Sequence, residues 1–190
     1  MGFLDTLLGR TKPVPPNLDA LFAVPSAAIT LQAATDYVPR GTGSVCFRAA
    51  EGKAFSDIEK DVRDLLAMGG AETKVDLTSD SYGFTWLVAT HPAQDVEGLV
   101  TDLHAVNSSL EAGGFGPQLL CTIVSFANSA GKPLGLVYLY KRGTFYPFAP
   151  EAGERRNNAA ELQVRGVLSN DLKIEPDLGR WFPVWGAPGL

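Results

Sequence analysis

Residues 96–141 read VEGLVTDLHAVNSSLEAGGFGPQLLCTIVSFANSAGKPLGLVYLYK, and this stretch decides the fold. Val96, Leu99, Val100, Leu103, Val106 and Leu110 recur at helical spacing, so they form one apolar stripe on a long helix. Gly113-Gly114 ends that helix, because glycine alone takes the left-handed stop conformation without strain. LLCTIVSFAN (119–128) and PLGLVYLYK (133–141) then flank Ser129-Ala130-Gly131-Lys132, the pattern of two strands joined by a hairpin turn. Both strands are apolar on both faces. They are therefore expected at the centre of a sheet, with helices covering them.

Working outward, TFYPF (144–148) reads as an edge strand, since Pro147 has no amide to give to a ladder. Asn157 or Asn158 can cap a last helix that runs to about Leu168. Toward the N-terminus, YGFTWLVAT (82–90) and KVDLT (74–78) form a hairpin about Ser79-Asp80-Ser81. Ser56-Asp57-Ile58-Glu59 is a capping box for a helix with Ile58, Val62, Leu65 and Leu66 on one face, stopped by Gly69-Gly70. SVCFRA (44–49) is strand-like, and Val38-Pro39-Arg40-Gly41 before it reads as a turn. LDALFAV, Pro25 and SAAITLQAATD read as a helix that restarts at the proline. Hairpins mixed with helices predict an α+β fold, with a mostly antiparallel sheet of about five strands flanked by helices. The expected organisation is a short amphipathic helix and Pro-rich tether over 1–16, a single α+β domain over 17–174, and an irregular aromatic and Pro-containing tail over 175–190.

The chain has 190 residues, a net charge of −5 and 45 % hydrophobic residues, a globular composition. The acidic balance speaks against nucleic acid, whose phosphates call for clustered Lys and Arg. Cys46 and Cys121 are the only thiols and there are two histidines. A disulfide framework or a Cys-rich zinc site is thus not expected, and no cofactor is. The opening MGFLDTLLGRTK has no secretory pattern, and the most apolar run, LLCTIVSFA at 119–127, is strand-length. The expected compartment is the cytoplasm.

Candidate chemistry is sparse. Asp102-Leu103-His104 on the long helix and Cys121 on the next strand are the nearest approach to a base and a nucleophile. A histidine at the border of an apolar stripe more often anchors its helix to the sheet. His91, Asp102 and His104 lack the spacing of a metal site. Gly41-Thr42-Gly43 and Gly113-Gly114-Phe115-Gly116 run in the wrong order for a phosphate loop, which needs a helix to follow the glycines. YLYKRGTFYPF (138–148) mixes aromatics and cations but departs from an RNA-recognition strand at Thr144, Phe145 and Pro147.

The two ends carry the stronger signals. Phe3, Leu4, Leu7 and Leu8 make one stripe of a short helix, and Pro13, Pro15 and Pro16 rule out its continuation. Burying those four groups fully supplies at most about 6–12 kcal/mol, at roughly 1.5–3 each, against a similar ordering cost. Such a helix needs a surface to lie on: its own domain, a protein partner or a membrane interface. Trp181, Phe182 and Trp185, in EPDLGRWFPVWGAPGL, either fold back on the domain or present an aromatic anchor.

Several long strings carry a resemblance: MGFLDTLLGRTKPVPPNLDALFAVPSAAITLQAAT, GLVTDLHAVNSSLEAGGFGPQLLCT, LVYLYKRGTFYPFAP and EPDLGRWFPVWGAPGL, with GTGSVCFRAAEG, YGFTW and GERRNNAAELQVRG between them. The chain resembles the PspAB family of bacterial PspA-associated proteins almost end to end, least at 69–81 and 89–95. The resemblance implies a gene neighbourhood with PspA, the coiled-coil, membrane-remodelling effector of the phage-shock envelope-stress response, and with a second small associated protein. It implies no catalytic or ligand residues. By analogy of fold alone, the element order resembles the secretion-chaperone type. The expectation is a non-enzymatic accessory protein that binds PspA or another protein of the same system, through Phe3, Leu4, Leu7 and Leu8, the outer sheet surface, or Trp181, Phe182 and Trp185. The alternative is a peripheral protein docking at the inner face of the cell membrane through the N-terminal helix. A third is a thiol or hydrolytic enzyme using Cys121 and His104.

Overall fold

The structure, a computed structural model, describes residues 16–48, 57, 60, 64 and 74–190. Three α-helices have described bounds: α1 (Val24–Ala34), α2 (Val96–Leu110) and α3 (Asn158–Leu168). A 3-10 helix, Leu18–Ala23, leads into α1, and Pro25 sits in its first turn, where a missing amide costs nothing. Six strands form one antiparallel sheet: β1 (Val38–Arg48), β2 (Lys74–Ser79), β3 (Phe84–Thr90), β4 (Leu119–Ala127), β5 (Pro133–Leu139) and β6 (Thr144–Phe148). Their spatial order is β2-β3-β1-β4-β5-β6. The fold is thus α+β, an open sheet with helices packed on it.

The stripe on α2 is buried as its spacing predicts, from Val96 through Leu110. Asp95 caps the helix by accepting from the Gly98 amide at 3.0 Å. Asn157 does the same for α3, accepting from Ala160 at 3.0 Å. At Gly114 the backbone turns left-handed (φ 85°), where a side chain would be strained. Asp57, Lys60 and Asp64 are helical and exposed, while the apolar residues of the capping-box helix lie outside the described residues.

Two expectations need correction. Val38-Pro39-Arg40-Gly41 is not a free turn but the first part of β1, whose pairing with β4 shifts register between Pro39 and Gly43. A bulge uses Pro and Gly much as a turn does, since both interrupt a ladder and bend the chain. The His91 amide donates to Gly41 O at 2.8 Å and fixes the bend. The second correction concerns what covers the sheet. α1, α2, α3 and the 3-10 helix all share one core on one face, with Val45, Phe47, Leu87, Val124, Phe126, Leu136 and Tyr138. The opposite face carries Cys46, Trp86, Cys121, Ile123, Val137, Tyr146 and Phe148, and its cover is the C-terminal tail through Trp181, Val184, Trp185, Ala187 and Leu190.

Pro147 does lie on an edge strand, as its missing amide requires. That edge is capped from outside. The Phe145 amide donates to Lys173 O at 2.9 Å, and the Glu175 amide donates to Phe145 O at 2.7 Å. The chain leaving α3 therefore extends the sheet briefly before it crosses to the second face.

Candidate functional site

The tail is fastened at a few points. Trp181 stacks on Tyr146 with ring centroids 5.9 Å apart, and its indole N–H donates to Glu175 O at 3.0 Å. The Tyr146 hydroxyl donates to Phe182 O at 2.7 Å. Arg156 donates to Trp181 O and, through Nε, to the buried Glu161 carboxylate at 2.9 Å. Trp185 packs edge-on against Phe148, with centroids 4.9 Å apart. Glu175 is fully buried and accepts from Arg142 at 3.0 Å and Thr144 at 2.7 Å. Burial alone would push its pKa up, but those donors outweigh it and hold the carboxyl below the usual range.

Between these fastenings the tail stands off the sheet and leaves a cavity of about 530 Å³. Its floor is Cys46 on β1, Phe84 and Trp86 on β3, Leu120 and Cys121 on β4, Leu139 on β5 and Tyr146 on β6. Phe182, Pro183, Val184 and Trp185 form the roof, with Asp80, Tyr82, Lys141, Arg142 and Arg180 around the rim. Asp80 organises one side of it, accepting from the Tyr82 and Phe84 amides at 2.9 and 3.0 Å and from the Trp86 indole at 2.8 Å. Arg142 and Arg180 are paired with Glu175 and Asp177. Volume and lining suit an apolar guest.

Cys46 and Cys121 meet in this floor, directly opposite in the β1–β4 register. A hydrogen bond with the Cys121 sulfur, then burial, pushes the Cys46 thiol well up. Burial likewise raises Tyr146. His104 is elsewhere. It lies on α2, across the sheet from Cys121, with Nε2 3.2 Å from Asp19 Oδ1 and its ring 4.6 Å from that of Phe22. It anchors α2 to the N-terminal 3-10 helix rather than to the sheet, and no nucleophile–base contact with Cys121 exists.

Of the expected contact residues, Trp181 is 5 % exposed, Trp185 is half-buried and Phe182 is 59 % exposed. Phe3, Leu4, Leu7 and Leu8 lie outside the described residues. Sequence reasoning missed the cavity and its floor residues Phe84, Trp86 and Tyr146. The available signal was that β4 and β5 are apolar on both faces, so the second face needed a cover from somewhere. Sequence reasoning weighed His91 only as a metal ligand and missed that its ring lies between two carboxylates, Nδ1 2.9 Å from Asp95 and Nε2 2.7 Å from Asp102. No helix among the described residues is long and apolar enough to cross a membrane.

A family model described as PspAB, PspA associated protein B, matches residues 1–189 of this chain. No curated protein and no solved structure matches it.

Proposed function

The chain belongs to the PspAB family, PspA associated protein B, and from that premise we propose that it is a non-enzymatic accessory protein of the PspA-linked envelope-stress response. It works by binding PspA, and the cavity between sheet and tail receives apolar side chains of that partner. The observation that carries the reading is Phe182. The tail buries Trp181 and half-buries Trp185, yet leaves the large aromatic ring between them in solvent at the mouth of an apolar cavity. Exposed aromatics beside apolar pockets are the usual anchors of protein interfaces. The cavity lining holds no histidine to serve as a general base, and its floor and roof are mostly apolar, which suits the reception of apolar side chains.

The test is capture of PspA by the full chain, by Phe182→Asp and by a chain lacking residues 1–12. Capture by the full chain and its loss in Phe182→Asp support the reading. No capture by the intact chain overturns it, and full capture by Phe182→Asp moves the contact elsewhere. Wild-type capture after truncation removes the N-terminal stripe from the mechanism.

A second reading is docking at an anionic membrane surface. Lys141 at the rim, which makes no ion pair among the described residues, stands on the same mouth as Phe182. Flotation of the intact chain with anionic liposomes supports this reading, and failure to float ends it.

A further inference from the structure

Cys46 and Cys121 are far apart in the chain, and antiparallel pairing of β1 with β4 makes them direct neighbours. Both line the cavity, so a small molecule held there lies beside both residues. Directly opposed residues of an antiparallel pair hold their Cβ atoms about 4.5–5.5 Å apart. A disulfide asks for roughly 3.5–4.5 Å. The register shift between Cys46 and Phe47 gives β1 the local freedom to close that difference.

We propose that Cys46 and Cys121 form a reversible cross-strand disulfide, with an organic hydroperoxide that enters the apolar cavity as the oxidant. Cys121 is the more exposed of the two residues, so its sulfur is the attacking atom. It attacks the terminal oxygen of the hydroperoxide, the O–O bond breaks, and the alkoxide leaves as the alcohol with the Cys121 proton. The resulting sulfenic acid is then attacked by Cys46 sulfur. The S–O bond breaks, and hydroxide leaves as water with the Cys46 proton. Two thiols are oxidised and one hydroperoxide is reduced.

The chemistry of the cavity selects the oxidant. A protonated thiol reacts slowly in water, since the thiolate is the nucleophile. Trp86, Leu120, Leu139 and Trp185 offer an apolar oxidant a place to accumulate beside the sulfurs, which hydrogen peroxide lacks.

The experiment incubates the reduced full chain with cumene hydroperoxide, then alkylates it under denaturing conditions and weighs it. Expected is joint loss of both alkylation sites with a mass loss of about 2 Da, reversed by dithiothreitol. Cys46→Ser should stop at a sulfenic acid on Cys121 that dimedone traps. Cumene hydroperoxide should act several-fold faster than hydrogen peroxide at equal concentration. Two thiols that still alkylate, or oxidise independently to sulfinic acids, overturn the disulfide, and equal rates overturn the role of the cavity. Mass alone reads the bond. Its failure therefore leaves the partner reading standing, and a chain that forms the bond but never captures PspA fails only that reading.

Discussion

The two faces of the sheet are closed by different means. On one, periodic helices lay apolar stripes against alternate strand residues, and the result is continuous packing in which Leu99, Leu103, Val106, Phe126 and Tyr138 are fully buried. A buried polar link joins α2 to β4: Asn107 donates to Thr122 Oγ1 at 2.9 Å and, within its own helix, to Leu103 O at 2.7 Å. On the other face an irregular tail is pinned by single hydrogen bonds and two tryptophans, and a cavity remains. A helix repeats its contact every turn and so fills a surface. A chain without period touches only where a particular side chain reaches, and it leaves room between. The closed face carries stability; the open one is the place to look for function.

The largest effect should therefore come from the helix face. Leu103→Ala removes a fully buried side chain from a close-packed layer, and the expected loss is about 2–5 kcal/mol in urea unfolding. A loss well under that range would mean that the two faces do not differ in packing. Trp181→Ala is expected to cost less globally, about 3 kcal/mol at most, because the tail beside the cavity relaxes. Its signature is local. Amide exchange should accelerate over 176–190 and remain unchanged in α2. Uniform acceleration through both regions would show the tail to be part of one cooperative unit with the helices.

That contrast also explains what was legible in the sequence. The helix face follows from spacing alone: the α2 stripe, the Asp95 and Asn157 caps and the strands at 119–127 and 133–139 are local patterns. The second face is not local. Tail residues 175–190 have no period, so nothing in them says which surface they cover. Cys46 and Cys121 meet because β1 lies between β3 and β4, and strand order arises from long-range pairing that no short stretch encodes. Val38–Gly41 reads as a turn and folds as a bulged strand, because Pro and Gly punctuate bulges and turns alike. His91 was passed over for His104 because its partners at positions 95 and 102 align only once Asp95 is known to begin the helix.

His91 lies at the junction where the chain leaves β3 for the helix face, and its effect should be moderate and pH-dependent. Burial works to lower its pKa, but Asp95 and Asp102 outweigh that and raise it above the ordinary 6.5. A folded-state pKa above the unfolded one means that stability is full below about pH 6.5 and is lost as pH rises through the raised value. Asp95 acts in the opposite sense: its pKa is lowered by His91 first, so its contribution is present above 3.8 and fades as pH falls below. His91→Gln should then cost about 1–2 kcal/mol near pH 5–6 and less in alkaline buffer. A pH-independent difference between the two proteins would place the effect in packing and not in the ion pairs.

The smallest stability effect is expected at Phe182, and it is the most informative about the open face. Its ring lies 59 % in solvent, and what fastens the tail there is its backbone carbonyl, which accepts from Tyr146. Phe182→Ser keeps that carbonyl and should change unfolding by no more than about 0.5 kcal/mol, the ordinary range for a surface position. A change of 2 kcal/mol or more would mean that the ring packs in the fold and is not free for a partner. Near-neutral stability together with lost capture of PspA would separate the two faces cleanly, because a residue that contributes nothing to the fold but is needed for binding belongs to the interface. The matching control is Leu103→Ala, measured where it is still folded: it should lose stability and keep capture.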